Sequence, residues 1–272
     1  MSRHYYLFGL LILFVIMGAH SSVYADVPDS PILLAQNVYW AQSSQDASSD
    51  DEKSKESEED EYDDEYEDEI QLIADPIHGV NRGLYHFNDK LYFWALKPVA
   101  RGYGFILPEV VRTSIRNFFD NVRFPVRFVN CMLQAKTDKA AAEFATFYVN
   151  TVVGLLGFFD PAADDPRLHP SPEDLGQTLA VWGIGNGAFL TLPFFGPSSV
   201  RDGMGKLGDT FLDPIWWAFD DIWVSLAIRT GETVNATSLR IGDYEALKEA
   251  ALDPYVAIRN AYVQNRNKLI AE

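Results

Sequence analysis

A glycine-rich stretch in the second half of the chain has the spacing of a nucleotide-binding loop. Residues 183–188 read Gly-Ile-Gly-Asn-Gly-Ala and match the loose dinucleotide fingerprint G-x-G-x-x-G/A. That motif needs a helix directly after it, because the helix N-terminus binds the pyrophosphate. Pro193, Gly196 and Pro197 would break such a helix within ten residues, and no alternation of strands and helices surrounds the stretch. The context therefore argues against a nucleotide site.

The histidines and the cysteine give no stronger sign of catalysis. His78 and His86 are eight residues apart and could share a helix face, but two imidazoles without nearby ligand cysteines indicate polar or interfacial side chains. The only cysteine, Cys131, lies in an apolar helical segment and is typical of a small buried hydrophobe. The chain also lacks the G-x-S-x-G and H-E-x-x-H patterns of serine hydrolases and zinc proteases. We predict no catalytic site, no cofactor and no metal.

The acidity of the chain is concentrated in one segment. The net charge is −17, of which residues 46–69 contribute −13 and residues 70–272 only −3. A protein that binds nucleic acid needs a basic face, so we predict no nucleic-acid partner. Residues 41–69 are too polar to offset the entropy of ordering, and we predict a disordered, acidic spacer over residues 26–69. The remaining residues, 70–272, suffice for one domain.

The N-terminal residues predict export. Arg3 precedes an uncharged apolar run over residues 5–19, which is shorter than the roughly 20 residues that span a bilayer. Val23-Tyr24-Ala25 then fits a cleavage site. We predict a cleaved signal peptide over residues 1–25, with an uncleaved anchor as the alternative. The residue directly after the cleavage site is Asp26 and not a cysteine, so lipidation is not evident.

Helical signals dominate the predicted domain. Asp-Pro pairs, in which Asp can cap a helix and Pro suits its first position, occur at Asp75, Asp160, Asp165, Asp213 and Asp253. Apolar residues recur at helical spacing after Pro108, Thr137 and Asp253, and no sustained alternation predicts strands. We predict an all-α domain.

Two apolar segments are unusual for a surface. Residues 214–229 are apolar nearly all round, so this predicted helix is either a central core helix or one that faces lipid. Trp216, Trp217 and Trp223 would suit a bilayer interface.

Residues 182–208 hold seven glycines and two prolines and are predicted to form an irregular loop that lines an apolar cavity or touches lipid. The predicted lining residues are Phe189, Leu192, Phe194 and Phe195. Arg201 and Lys206 could meet a phosphate; alternatively, they are solvated or pair with Asp202 or Asp209.

A series of short motifs resembles one protein family. They run in order over residues 74–268 and include DPIHGVNR at 75–82, YHFN at 85–88, KPVA at 97–100, EDLGQTL at 173–179, FGP at 195–197 and DPY at 253–255. On these residues the chain resembles the MlaA family, also called VacJ.

The resemblance implies a ring-like bundle of amphipathic helices around an amphipathic lipid channel, seated at the periplasmic face of the Gram-negative outer membrane. It implies trimeric porin as a partner, and removal of phospholipid from the outer leaflet of the outer membrane. The phospholipid would pass to an MlaC-like periplasmic carrier, which maintains lipid asymmetry without covalent chemistry. The absent lipidation cysteine departs from the best-known family pattern. A non-transporting envelope scaffold that binds porin or membrane, and an enzyme, remain as alternatives.

Overall fold

A computed structural model describes residues 73–168 and 172–272. The predicted signal peptide (1–25), the predicted spacer (26–69) and His169 lie outside the described residues. Within them, helices occupy most of the chain, which confirms the predicted helical fold.

The first half of the domain is a succession of helices joined by short turns. Its elements are α1 (His78–Leu91), a π-helical segment (Tyr92–Leu96), α2 (Lys97–Ile106), α3 (Glu109–Val122), α4 (Phe124–Leu133) and α5 (Thr137–Val152). The second half adds a 3₁₀ turn (Pro161–Asp164), α6 (Leu175–Val181), β1 (Phe189–Leu192), β2 (Gly196–Ser199), α7 (Val200–Asp209), α8 (Pro214–Ala218), α9 (Ile222–Leu239), α10 (Asp243–Ala250) and α11 (Pro254–Ala271). Helix α9 packs against α2 and α3, α4 packs against α5, and α6 packs against α7. None of the helices described here is both long and apolar enough to cross a membrane.

The Asp-Pro pairs act as predicted at two helix starts. Asp213 accepts a hydrogen bond from the backbone N–H of Ile215 at 3.1 Å, and Asp253 accepts one from Tyr255 at 3.0 Å. In both helices Pro occupies the first turn, where its missing N–H costs nothing. Asp160 precedes only a 3₁₀ turn and makes no side-chain cap there. Asp75 lies three residues before α1, and its carboxylate accepts hydrogen bonds from Asn81 and Tyr255 instead.

The prediction of one continuous helix over residues 214–229 was wrong. Helix α8 ends at Ala218, Phe219 is extended, and α9 begins only at Ile222. The break has a local cause: Asp221 accepts from the backbone N–H of Trp223 at 2.8 Å, and an Asp that caps a helix is favoured over an Asp inside one.

The glycine-rich stretch is also more regular than predicted. Strands β1 and β2 form an antiparallel hairpin in which Phe189 pairs with Ser199 and Leu192 with Gly196. Ser199 then caps α7 by accepting from the N–H of Asp202 at 3.1 Å. The glycines of α7 permit a close crossing, since a Cβ on Gly205 would lie 2.4 Å from the backbone nitrogen of Gly176 in α6. The short hairpin is therefore an exception to the all-α prediction.

Burial in this domain is inverted relative to an ordinary water-soluble protein. Charged side chains such as Glu143 are fully buried, whereas large apolar ones such as Phe105 (92% exposed) and Trp94 (78%) lie on the surface. The buried apolar core is small and largely aromatic, comprising Tyr85, Phe189, Tyr255, Tyr262 and Val263. Most of the buried polar groups are paired, and many large apolar side chains lie on the surface.

Candidate lipid-binding site

The hairpin is attached to α1 by two asparagines. Asn81 and Asn88 are seven residues apart, so they lie on one face of the helix. Asn81 donates to the carbonyl of Phe189 at 3.0 Å and accepts from the N–H of Thr191 at 2.8 Å. Asn88 donates to the carbonyl of Leu192 at 2.9 Å. These side chains satisfy backbone groups along β1, which makes the hairpin a supported part of the fold.

The four aromatic and aliphatic residues predicted to line a lipid cavity divide into two groups. Phe189 is 1% exposed and belongs to the aromatic core, so it supports the hairpin from inside. Leu192, Phe194 and Phe195 lie at the turn end of the hairpin and are half-buried. The ring of Phe194 meets that of Phe87 edge-on at 5.1 Å. The apolar end of the hairpin is therefore formed by three of the four predicted residues.

Helix α7, which follows the hairpin directly, separates apolar and charged side chains. Met204 and Leu207 are exposed, while Arg201 and Asp202 are buried. Arg201 donates through Nε to Asp202 Oδ1 at 2.9 Å. The alternative that Arg201 forms an ion pair with Asp202 is the arrangement found in the structure.

Asp202 belongs to a buried charged cluster that joins α6, α7 and α11. Arg266 donates to both carboxylate oxygens of Asp174, at 2.6 and 3.0 Å, and to Asp202 Oδ1 at 3.1 Å. Tyr262 donates to the other oxygen of Asp202. Burial would raise the pKa of Asp202, but the charge of Arg266 and the Tyr262 hydrogen bond outweigh it and lower this pKa to about 2. Asp202 is thus held ionised.

Two further residues of α7 have pKa values near neutrality. Burial, together with the charge of Arg266, lowers the pKa of Lys206 to about 8. Burial, together with the charge of Asp174, raises the pKa of Asp209 to about 7. Asp209 accepts from Asn130 at 2.9 Å and from the backbone N–H of Leu175. Lys206 Nζ is buried and has no hydrogen-bond partner among the described residues.

The three tryptophans predicted to face a membrane differ in exposure. Trp217 is 73% exposed and Trp223 is also exposed, whereas Trp216 is half-buried with its indole nitrogen inside the protein. Trp217 donates to the carbonyl of Phe211 at 2.9 Å, which fixes the ring on the surface.

One exposed apolar segment was missed by the sequence reasoning. We name residues 152–159, which read Val-Val-Gly-Leu-Leu-Gly-Phe-Phe, the apolar tip. Leu155 and Leu156 adopt left-handed conformations, with φ of 52° and 62°, and expose their side chains. The sequence signal was an uncharged run of eight residues at the end of α5, where only an apolar helix stripe was predicted.

Nothing in the described ranges forms a group of three or more His, Cys, Asp or Glu residues placed to bind a metal ion. Residues 183–188 lead into strand β1 and not into a helix, so the glycine fingerprint lacks the helix N-terminus that would bind a pyrophosphate. The site therefore consists of an apolar hairpin end, an amphipathic α7 and a buried charged cluster.

Comparisons with known proteins identify the family and the fold of the chain. The family model described as MlaA lipoprotein matches residues 73–269. The chain is 32% identical over 198 residues to the intermembrane phospholipid transport system lipoprotein MlaA of Escherichia coli, covering 71% of this chain and 77% of that protein. It is 28% identical over 194 residues to the protein of the same name from Haemophilus influenzae, covering 70% and 77%.

A solved structure has the same fold. The matching chain comes from work on the structural basis for maintenance of bacterial outer membrane lipid asymmetry. It superposes with a TM-score of 0.65 at 29% sequence identity, covering 72% of this chain and 99% of that one. Together with the match of the family model, this places the chain in the MlaA family.

Proposed function

We propose that this protein is the outer-membrane component of an intermembrane phospholipid transport system. In this role it removes phospholipid from the outer leaflet of the outer membrane and passes it to a periplasmic carrier. The observation that carries the proposal is the inverted burial, with apolar side chains outside and a paired charged cluster inside. That arrangement suits a protein that sits in lipid and offers a polar interior to a headgroup.

Exposed apolar residues from several elements support a seat in the membrane at its periplasmic face. They include Phe105 and Ile106 of α2, Val110 of α3, the apolar tip and Trp217. A surface of this kind is unfavourable in water but is stabilised in a bilayer interface. Such contacts would hold the protein in one leaflet without an acyl chain.

The end of the hairpin is the proposed apolar wall of the lipid path. A phospholipid that crosses water exposes its acyl chains at a cost of about 0.8 kcal/mol per CH₂. Leu192, Phe194 and Phe195 would shield those chains, and the polar interior beside α7 would accept the headgroup. A trimeric porin and an MlaC-like periplasmic carrier are the proposed protein partners.

The test is the amount of phospholipid in the outer leaflet of cells that lack this protein, measured with a phospholipase that acts only at the cell surface. We expect surface phospholipid to rise and to return to normal on re-expression. Phe195→Glu should accumulate normally but fail to restore the low level, because a charge at the hairpin end opposes the passage of acyl chains.

Two outcomes would overturn parts of the proposal. If the deletion leaves surface phospholipid unchanged although the protein is found in the outer membrane, the transport function is wrong and a scaffold that binds porin or membrane is favoured. If Phe195→Glu restores the low level as fully as the original chain, the hairpin end is not part of the lipid path.

A further inference from the structure

The buried charged cluster of α6, α7 and α11 contains three cations but only two carboxylates that form ion pairs with them. The ionised carboxylates of Asp174 and Asp202 face two guanidinium groups, those of Arg201 and Arg266. Lys206 adds a third positive charge from α7. Asp209 does not form an ion pair with it among the described residues, because its carboxyl group is bound instead by Asn130 and Leu175.

The two arginines and the lysine differ in how their charges are satisfied. Arg266 reaches both carboxylates, and Arg201 is paired with Asp202 although its Nη2 makes no hydrogen bond. Lys206 Nζ is buried and, within the described part of the chain, bonds to nothing. A buried ammonium without a partner is costly. The fold therefore maintains a cationic donor that its own described residues leave unused.

The surroundings of Lys206 specify what would bind there. An ammonium group offers three hydrogen-bond donors and suits phosphate oxygens as a point charge. Helix α7 is about 15 Å long, and it carries the exposed apolar side chains of Met204 and Leu207. A ligand with an anionic head and hydrocarbon chains matches both features within the length of one helix.

We propose that Lys206 binds the phosphate group of a glycerophospholipid while the acyl chains contact the exposed apolar side chains of α7. This inference rests on the proposed function and extends it by naming the headgroup-binding residue. At neutral pH most of the lysine is protonated, since its pKa is near 8. The charged groups that face it are Arg266, which lowers its pKa, and Asp174 and Asp202, which raise it.

The experiment measures lipid binding to the purified full chain in detergent by native mass spectrometry. The probes are phosphatidylglycerol, diacylglycerol with the same acyl chains, and inorganic phosphate as a competitor. Lys206→Gln should weaken binding of phosphatidylglycerol roughly tenfold to a hundredfold, the loss expected for a charge-assisted hydrogen bond, and leave binding of diacylglycerol unchanged. Lys268→Gln is the matched control, because the Lys268 side chain is 72% exposed.

A second variant separates binding from folding. Lys206→Met removes the buried charge and keeps the length of the side chain, so we expect its thermal midpoint to equal or exceed that of the original chain while phosphatidylglycerol binding falls as in Lys206→Gln. Equal phosphatidylglycerol binding by the original chain and both variants would overturn the role of Lys206 and leave the transport function standing. Failure of the original chain to bind either lipid would overturn the transport function, and Lys206 with it. If inorganic phosphate displaces bound phosphatidylglycerol as effectively as further phosphatidylglycerol does, the ligand of Lys206 is a free phosphate and the assignment of a lipid is overturned.

Discussion

Asn88 holds Phe194 in a left-handed backbone conformation. The N–H of Phe194 donates to Asn88 Oδ1 at 2.7 Å, and the φ angle of Phe194 is 69°. This conformation costs a residue with a side chain roughly 1–2 kcal/mol. The Asn88 hydrogen bond and the contact with Phe87 offset that cost, so the apolar end of the hairpin is positioned by a side chain of α1.

Asn88→Ala should loosen the hairpin turn. It removes the hydrogen bonds to both Leu192 and Phe194, and we expect unfolding free energy to fall by about 1–2 kcal/mol. Amide hydrogen exchange should accelerate at Phe194 while the exchange of α9 changes little. Lys90→Ala, an exposed change on the same helix, serves as the control. Unchanged exchange at Phe194 would show that the turn does not depend on Asn88.

The crossing of α6 and α7 should tolerate no side chain at Gly205. A Cβ there would lie 2.4 Å from the backbone nitrogen of Gly176, so we expect Gly205→Ala to destabilise the protein by roughly 1–3 kcal/mol. Gly203→Ala is the matched control on the same helix, because the nearest atom to its Cβ is Ser198 Oγ at 3.9 Å. It should be neutral or stabilising by up to about 1 kcal/mol. Denaturant titration measures the free energy of unfolding of both variants, and equal losses of stability would contradict this prediction.

Asp209 should make stability depend on pH near neutrality. Its pKa is raised from 3.8 to about 7 in the fold, so between these values the folded state holds a proton that the unfolded state releases. Stability should therefore fall as pH rises across this window, with a limiting slope of about 1.4 kcal/mol per pH unit. Asp209→Asn should remove this contribution and be more stable than the original chain at pH 8.

Unfolding measured between pH 5 and pH 8 tests the prediction for Asp209. Asp138→Asn, at an exposed acidic position in the first turn of α5, is the control and should keep the pH dependence of the original chain. The same slope in Asp209→Asn and in the original chain would assign the dependence to another group.

The apolar tip should contribute to membrane binding. The double variant Leu155→Asn, Leu156→Asn keeps the fold, because Asn tolerates the left-handed conformation that both leucines adopt. It should partition into phospholipid vesicles at least roughly tenfold less, since burying one leucine side chain yields about 1.5–3 kcal/mol. Ala246→Asn, at an exposed position on α10, is the control. Equal partitioning of all three chains in vesicle flotation would exclude the tip from the membrane contact.

Several local features could be predicted from neighbouring residues alone. Asp213 and Asp253 cap helices because their own N–H partners lie two residues further along the chain. The apolar faces of α3, α5 and α11 follow from the helical spacing of their apolar residues. The hairpin was missed because β1 has only four residues and depends on Asn81 and Asn88, which lie more than 100 residues away in sequence.

The amino-acid sequence by itself determined the helical class and the family, because these depend on composition, on periodicity and on motifs in order. Only the tertiary structure decided which charges are paired. Arg201 and Lys206 are equivalent candidates in the sequence. In the fold, Arg201 pairs with the neighbouring Asp202, which α11 also reaches through Arg266, while Lys206 Nζ has no hydrogen-bond partner among the described residues. Pairing inside a protein depends on distances between residues that are remote in the chain, and helical spacing carries no information about them.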